Sequence, residues 1–259
     1  MAKAVRGMMP LLGDKDPPPV EISNPAGSAR FLLIADHAGN VVPERLAGLG
    51  VDEAELHRHI GWDIGIAGLG EQLSGLIDAS FIRQTYSRLV IDCNRDPEAA
   101  DAIPEVSDGT RIPANVGLDS EQRQRRIAEI HSPYQQAIAD ALARRDRPGE
   151  PAVLVALHSF TPRFAGVDRP WQIGVLHHKG EPAFALRVLK ALRAMDGLVV
   201  GDNQPYQMDG IDYTVPRHAY STGRPYVELE IRQDLIDDAP GQSHWAAIVE
   251  AALAAVRAG

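Results

Sequence analysis

Short apolar runs alternate along the chain with longer stretches that are apolar on one side only. The runs at 31–35, 79–83, 88–92, 152–157, 171–176, 198–200 and 226–231 are rich in branched residues and bounded by turn formers, which predicts strands. Helical periodicity falls between them at 52–76, with a break near Gly61, and at 120–145, 181–195 and 243–258. In 120–145 the residues Ile127, Ile130, Tyr134, Ile138 and Leu142 keep one apolar face, Asp119 or Ser120 can cap the start, and Pro133 predicts a kink. Strands alternating with helices predict an α/β fold: one domain with a mixed, mainly parallel sheet flanked by helices on both faces. Residues 29–259 are expected to form that domain, with residues 1–28, stiffened by "DPPPV", as an extended lead-in. The polar piece from 93 to 118 is too long for a simple connection, and loops of that kind often carry function.

Two strands break their apolar pattern in the same way. "FLLIADHAGN" passes from Phe31–Ala35 into Asp36 and His37, and "ALHSFTP" ends its apolar run at His158. Ligands of open α/β sheets bind outside the carboxyl ends of strands, so His37 and His158 are placed to converge. "HRHIGWDIGI" embeds Asp63 in an apolar, glycine-containing run, where an unpaired carboxylate is costly; it reads either as a capping or core hydrogen-bonding residue or as a third metal ligand. "RLVIDCNRDP" sets Arg88 before a strand and Asn94 with Arg95 after it. These groups suit a substrate carboxylate, with an internal Arg–Asp pair as the alternative. "YVELEIRQDL" alternates Val227, Leu229 and Ile231 with Glu228, Glu230 and Arg232. On an edge strand this is a solvated face; in a buried sheet it aims two carboxylates toward a site, and one beside a metal can serve as general base. Arg232 can pair with either glutamate and so leave the other free.

Composition narrows the classes. With 259 residues and 44% apolar content the chain can bury a large core, and a net charge of −9 argues against a sequence-independent grip on nucleic acid. One cysteine, Cys93, excludes an intrachain disulfide and a thiolate metal cluster and suits a cytoplasmic location. No segment has the roughly 20 apolar residues of a membrane span, and the N-terminal stretch lacks a signal-peptide apolar core, so neither a membrane nor a nucleic acid partner is expected. Two histidines and a carboxylate leave an open fourth position, the arrangement of a catalytic zinc site.

Over about residues 31 to 235 the sequence resembles the N-formylglutamate amidohydrolase family, on "DHAGNVVP", "HIGWDIGI", "SRLVIDCNRDP", "ALHSFTP", "DNQPY" and "YVELEIRQDL". The resemblance implies relatives among zinc carboxypeptidases and aspartoacylases and a zinc-carboxypeptidase-like (phosphorylase/hydrolase-like) fold. It also implies His37, Asp63 and His158 as metal ligands, Asn94 and Arg95 as carboxylate holders, and Glu230 as base. In the irregular stretch "DNQPYQMDGIDYTVPRHA", Asn203, Tyr213 and His218 are candidates for a wall over the substrate, with a plain surface loop as the alternative. The expected activity is zinc-dependent hydrolysis of an N-acyl, most simply N-formyl, amide of a small acidic amino acid such as N-formylglutamate. The competing classes are a non-catalytic carboxylate- or metal-binding protein on the same scaffold and a peptidase acting at a C-terminal carboxylate.

Overall fold

A computed structural model describes residues 9–147, 150–208 and 210–257. Residues 1–8 of the expected lead-in, and Ala258 at the expected end of the last helix, lie outside them.

Six of the predicted strands, joined by one from the expected lead-in, build a seven-stranded sheet. Its members are β1 (Val20–Ser23), β2 (Phe31–Ala35), β3 (Ser80–Gln84), β6 (Val153–Phe160), β9 (Ile173–Leu176), β10 (Val200–Asp202) and β11 (Tyr226–Arg232), in the order β1-β3-β2-β6-β11-β9-β10. The central strands β3, β2, β6 and β11 run parallel; β1 at one edge is antiparallel to β3, and β9 is antiparallel to β11 but parallel to β10 at the other edge. Two small hairpins lie outside the sheet: β4 (Val106–Ser107) with β5 (Thr110–Arg111), and β7 (Arg163–Phe164) with β8 (Val167–Asp168).

Helices cover both faces. On one side α2 (Ile66–Ile77), α5 (Ala183–Arg193) and α6 (Ala239–Arg257) pack on Leu33, Val155, Leu157, Val227 and Leu229. On the other, α4 (Ser132–Arg145) and buried loops pack on Leu32, Ile34, Leu154, Ala156 and Tyr226. Successive strand residues point to opposite faces, so this parity decides the site. Asp36 follows Ile34, His158 follows Ala156, and Glu228 and Glu230 follow Tyr226, all on the second face. The apolar residues on the first face anchor these strands, and the parallel register sets Glu230 directly opposite His158.

Several expectations are corrected. Residues 88–92 form no strand: Leu89, Val90 and Ile91 are buried, but as a turn, with Val90 N–H bonded to Ser87 O and Arg88 N–H to Gly61 O. An apolar run records burial, and here the backbone partners come from loops rather than from a neighbouring strand. The stretch 52–76 holds only α1 (Glu53–Leu56) and α2, with Asp63 on the turns between them. Gly65 closes those turns at φ +82°, where a Cβ would meet Ile236 O at 2.0 Å. Over 120–145, Asp119 and Gln122 form a capping box for α3 (Ser120–Arg126), and a π turn at Ile127–His131 joins it to α4, with Pro133 in the first turn of α4. The segment expected as a lead-in contributes β1 to the sheet.

Candidate metal and substrate site

At the carboxyl ends of β2, β6 and β11 a cavity of about 430 Å³ opens, and His37, Asp63, His158, Glu228 and Glu230 line it. All five are nearly inaccessible to solvent. His37 and His158 stand with ring centroids 5.1 Å apart, and Asp63 comes from the α1–α2 connection, held by its own N–H bonding to His37 O at 2.8 Å. Asp63 Oδ2 lies 3.0 Å from His158 Nδ1 and 3.6 Å from His37 Nδ1. Two Nδ1 atoms therefore face one carboxylate oxygen, and donor atoms of the three residues lie within 4.8 Å of one another.

Each histidine turns its other nitrogen to a second carboxylate. His37 Nε2 is 2.6 Å from Asp92 Oδ1, and His158 Nε2 is 3.3 Å from Asp36 Oδ2. Asp92 is fixed in turn by Arg88 Nη2 at 2.7 Å, and Asp36 by the Thr214 hydroxyl at 2.6 Å. Metal-ligating histidines show this pattern, because the outer carboxylate sets the tautomer and ring direction. Asp36 and Asp92 were legible only as polar residues beside the motifs; the parity that puts Asp36 behind His158 requires the sheet order.

The residues present fit a divalent metal. Buried His37 Nδ1 has no hydrogen-bond partner among the described residues, nor does one carboxyl oxygen each of Glu228 and Glu230. Five buried carboxyl groups, Asp36, Asp63, Asp92, Glu228 and Glu230, crowd the two histidines, and Arg88 pairs with two of them. Such an excess of buried acid is costly without a cation. An N, O, N donor set is the chemistry zinc selects.

Electrostatics separates the acids by role. Burial favours the neutral form of Asp63, but His37 and His158 outweigh it and hold the carboxyl below its ordinary range. For Asp92 the Arg88 guanidinium, followed by His37, does the same against burial. For Glu228 and Glu230 burial outweighs the attraction of His158 and pushes both up to about 8. Arg232 pairs with Asp234 at 2.8 Å and competes for neither glutamate.

The expected substrate-binding residues divide. Asn94 and Arg95 line the cavity. Asn94 Oδ1 accepts the backbone N–H groups of Tyr213 and Thr214, while Arg95 Nε reaches Asp101 at 3.1 Å and its Nη1 donates to Asn94 O. Arg88 also lines it, with its guanidinium directed at Asp92 and Asp63. Asn203 and His218 are not among the lining residues. Asn203 Oδ1 accepts the N–H of His177, closing the turn after β10, and His218 Nε2 lies 2.7 Å from Gln135 Oε1, its pKa lowered by burial to about 4. Tyr213 likewise stands outside, its hydroxyl accepting from Arg217 Nη1. The expected stretch does line the cavity, but through Pro205, Tyr206, Ile211 and Asp212, with Phe160 and Leu176 added from the ends of β6 and β9.

Among the described residues no helix is long and apolar enough to cross a membrane. No curated protein matches the chain in sequence. Among solved structures, a gene product of Agrobacterium tumefaciens is 32% identical with a TM-score of 0.90, over 96% of this chain and 98% of that one. N-Formylglutamate amidohydrolase from Ralstonia eutropha JMP134 shares the fold at 20% identity and a TM-score of 0.67, over 93% of this chain and 97% of that one. The model of the N-formylglutamate amidohydrolase family matches residues 29–237. With that match covering six of the seven strands of the sheet and every residue of the donor set, the chain belongs to the N-formylglutamate amidohydrolase family, a family of amide-bond hydrolases.

Proposed function

We propose that the protein is a zinc-dependent amidohydrolase that cleaves the N-acyl amide of a small acidic amino acid, the class to which N-formylglutamate belongs. The observation that carries the reading is the buried donor set of His37, Asp63 and His158, with two raised-pKa glutamates beside it in one cavity. His37, Asp63 and His158 would hold the metal, which when bound supplies a Lewis acid for the amide carbonyl and a water of lowered pKa.

The chain's own residues do the rest. Asp92 and Asp36 orient the two imidazoles from behind, and Arg88 clamps Asp92 and Asp63. Glu230, opposite His158 in the register, is the general base: its raised proton affinity lets it take a proton from water and pass it to the leaving nitrogen. Arg95 and the Asn94 amide, at the side of the cavity, hold the substrate carboxylate by charge-assisted hydrogen bonds and fix the scissile amide over the donor set.

Metal content and amine release test this together. Protein purified without chelator is expected to carry one zinc per chain and to release glutamate from N-acylglutamates, and His37→Ala and His158→Ala to lose both while staying folded, since the apolar residues of β2 and β6 are untouched. Unchanged zinc stoichiometry in both variants refutes the donor set. Retained zinc with peptide cleavage and no N-acylglutamate cleavage refutes the substrate class.

A further inference from the structure

The cavity is large for an N-formyl amino acid. Its volume of about 430 Å³ falls in the range that holds much bigger ligands. A second cavity of about 250 Å³ adjoins it, and the two share His59, Arg88 and Arg95. Arg95 therefore marks the boundary between them. With the substrate carboxylate at Arg95, the amino-acid half lies toward this boundary. The acyl half extends into the part of the larger cavity that the second does not share.

That part holds the donor set and the two glutamates, with Thr161, Gln207 and Asp212, and it also carries apolar lining. Phe160, Leu176, Pro205, Tyr206 and Ile211 line the larger cavity alone. Tyr206 is 42% exposed and Ile211 52% exposed, so apolar surface is left uncovered at the mouth of a cavity whose floor is ionisable. Single exposed apolar residues are ordinary; apolar residues that line a ligand cavity and stay exposed at its mouth point to what the cavity takes. A formyl group, with one carbon, gains nothing from such a wall.

The wall is also held in place. The Arg169 guanidinium lies 4.8 Å from the Tyr206 ring centroid and 5.8 Å from that of Phe160, and its Nη1 donates to the Tyr206 hydroxyl at 3.0 Å. Behind Tyr206, a Cβ on Gly174 would sit 2.0 Å from Gln204 O, so only glycine lets the 204–206 backbone lie against the sheet beside Glu230. A rigid aromatic face at the mouth offers contact area at little cost in conformational entropy.

We propose that this site takes an acyl group that is bulky and apolar, of the aroyl or medium-chain type, and that Tyr206 and Ile211 select it. The inference rests on the amidohydrolase reading and on Arg95 as the carboxylate side. It is tested with N-formyl-, N-acetyl-, N-butanoyl- and N-benzoyl-L-glutamate on the zinc-loaded protein. kcat/KM is expected to rise along the series, by roughly ten- to hundredfold from formyl to benzoyl, which is the gain from burying an aromatic group. Tyr206→Ala is expected to collapse that ratio, and Tyr206→Phe, which keeps the ring, to preserve it. Equilibrium binding of the same compounds to zinc-loaded Glu230→Gln reads the preference without turnover. Formyl equal to or better than benzoyl in both measurements overturns the bulky-acyl inference and leaves the amidohydrolase standing. Tighter binding of benzoyl without cleavage of any compound upholds the wall and refutes the hydrolase. A benzoyl preference that survives Tyr206→Ala overturns the assignment to this wall.

Discussion

The floor of the site and its wall are built by different means. The floor is made of strand ends: Asp36, His158, Glu228 and Glu230 share one face because strand parity and parallel register put them there, and apolar neighbours on the opposite face anchor the backbone beneath. The wall is made mostly of loops, set against Phe160 and Leu176 at the ends of β6 and β9. Pro205, Tyr206, Ile211 and Asp212 are placed by side-chain to backbone hydrogen bonds, such as those from Tyr213 and Thr214 to Asn94, and by the packing of Arg169 on its aromatic neighbours. A floor fixed by the sheet preserves chemistry, whereas a wall fixed by a few polar contacts is free to change with the substrate.

The largest effect is expected at the floor. Glu230→Gln keeps size and hydrogen bonding but cannot take a proton, so turnover of the best N-acylglutamate should fall by roughly 10²–10⁴-fold, with zinc retained. Glu228 shares the face and the upward shift, so Glu228→Gln is the companion measurement. Full activity in Glu230→Gln with loss in Glu228→Gln moves the base by two residues. Full activity in both removes β11 from the chemistry and leaves the floor to the metal ligands alone.

The same contrast explains what could be read from the sequence. His37 was legible because it follows an apolar strand, His158 because it interrupts one two residues before its end, and Glu228 with Glu230 because charged residues alternating with apolar ones in a central strand have no solvent to face. Asp63 stood out as a carboxylate among apolar residues, although its segment is a set of turns rather than a helix. The run 88–92 misled because its buried Leu89, Val90 and Ile91 have the composition of a strand while their backbone bonds go to loops. Asn203 and His218 misled because polarity in an irregular stretch does not say which way a side chain turns; one closes a turn and the other bonds Gln135. Tyr206 and Arg169 went unread because an aromatic–guanidinium stack joins residues far apart in sequence.

A second prediction concerns the carboxylates behind the histidines, where floor and loops meet. Asp92 sits in the 88–96 turn region, yet it orients His37 through the 2.6 Å contact to Nε2 and anchors Arg88. Asp92→Asn keeps the shape and removes the charge that makes the imidazole a stronger ligand. Zinc affinity, measured by competition with a chromophoric chelator, is expected to fall by roughly 10- to 100-fold. An unchanged affinity would reduce Asp92 to a partner of Arg88.

The smallest effect is expected in the wall's support, at Asn203. This residue has φ +50°, in the left-handed region where asparagine is tolerated and other side chains with a Cβ are strained. Its Oδ1 accepts the N–H of His177 at 2.9 Å, and its own N–H donates to Val175 O at 3.0 Å, so it locks the turn that leads into Pro205 and Tyr206. Asn203→Ala loses the acceptor and carries the backbone strain, and is expected to cost about 1–2 kcal/mol in chemical denaturation of the zinc-loaded protein. Asn203→Gly relieves the strain while still lacking the acceptor, so the difference between the two variants divides backbone from hydrogen bond. Because Asn203 does not line the cavity, kcat/KM is expected to hold at the wild-type value in both variants. A loss of kcat/KM in both variants, larger than the loss of stability explains, would return Asn203 to the substrate and make the wall as directly chemical as the floor.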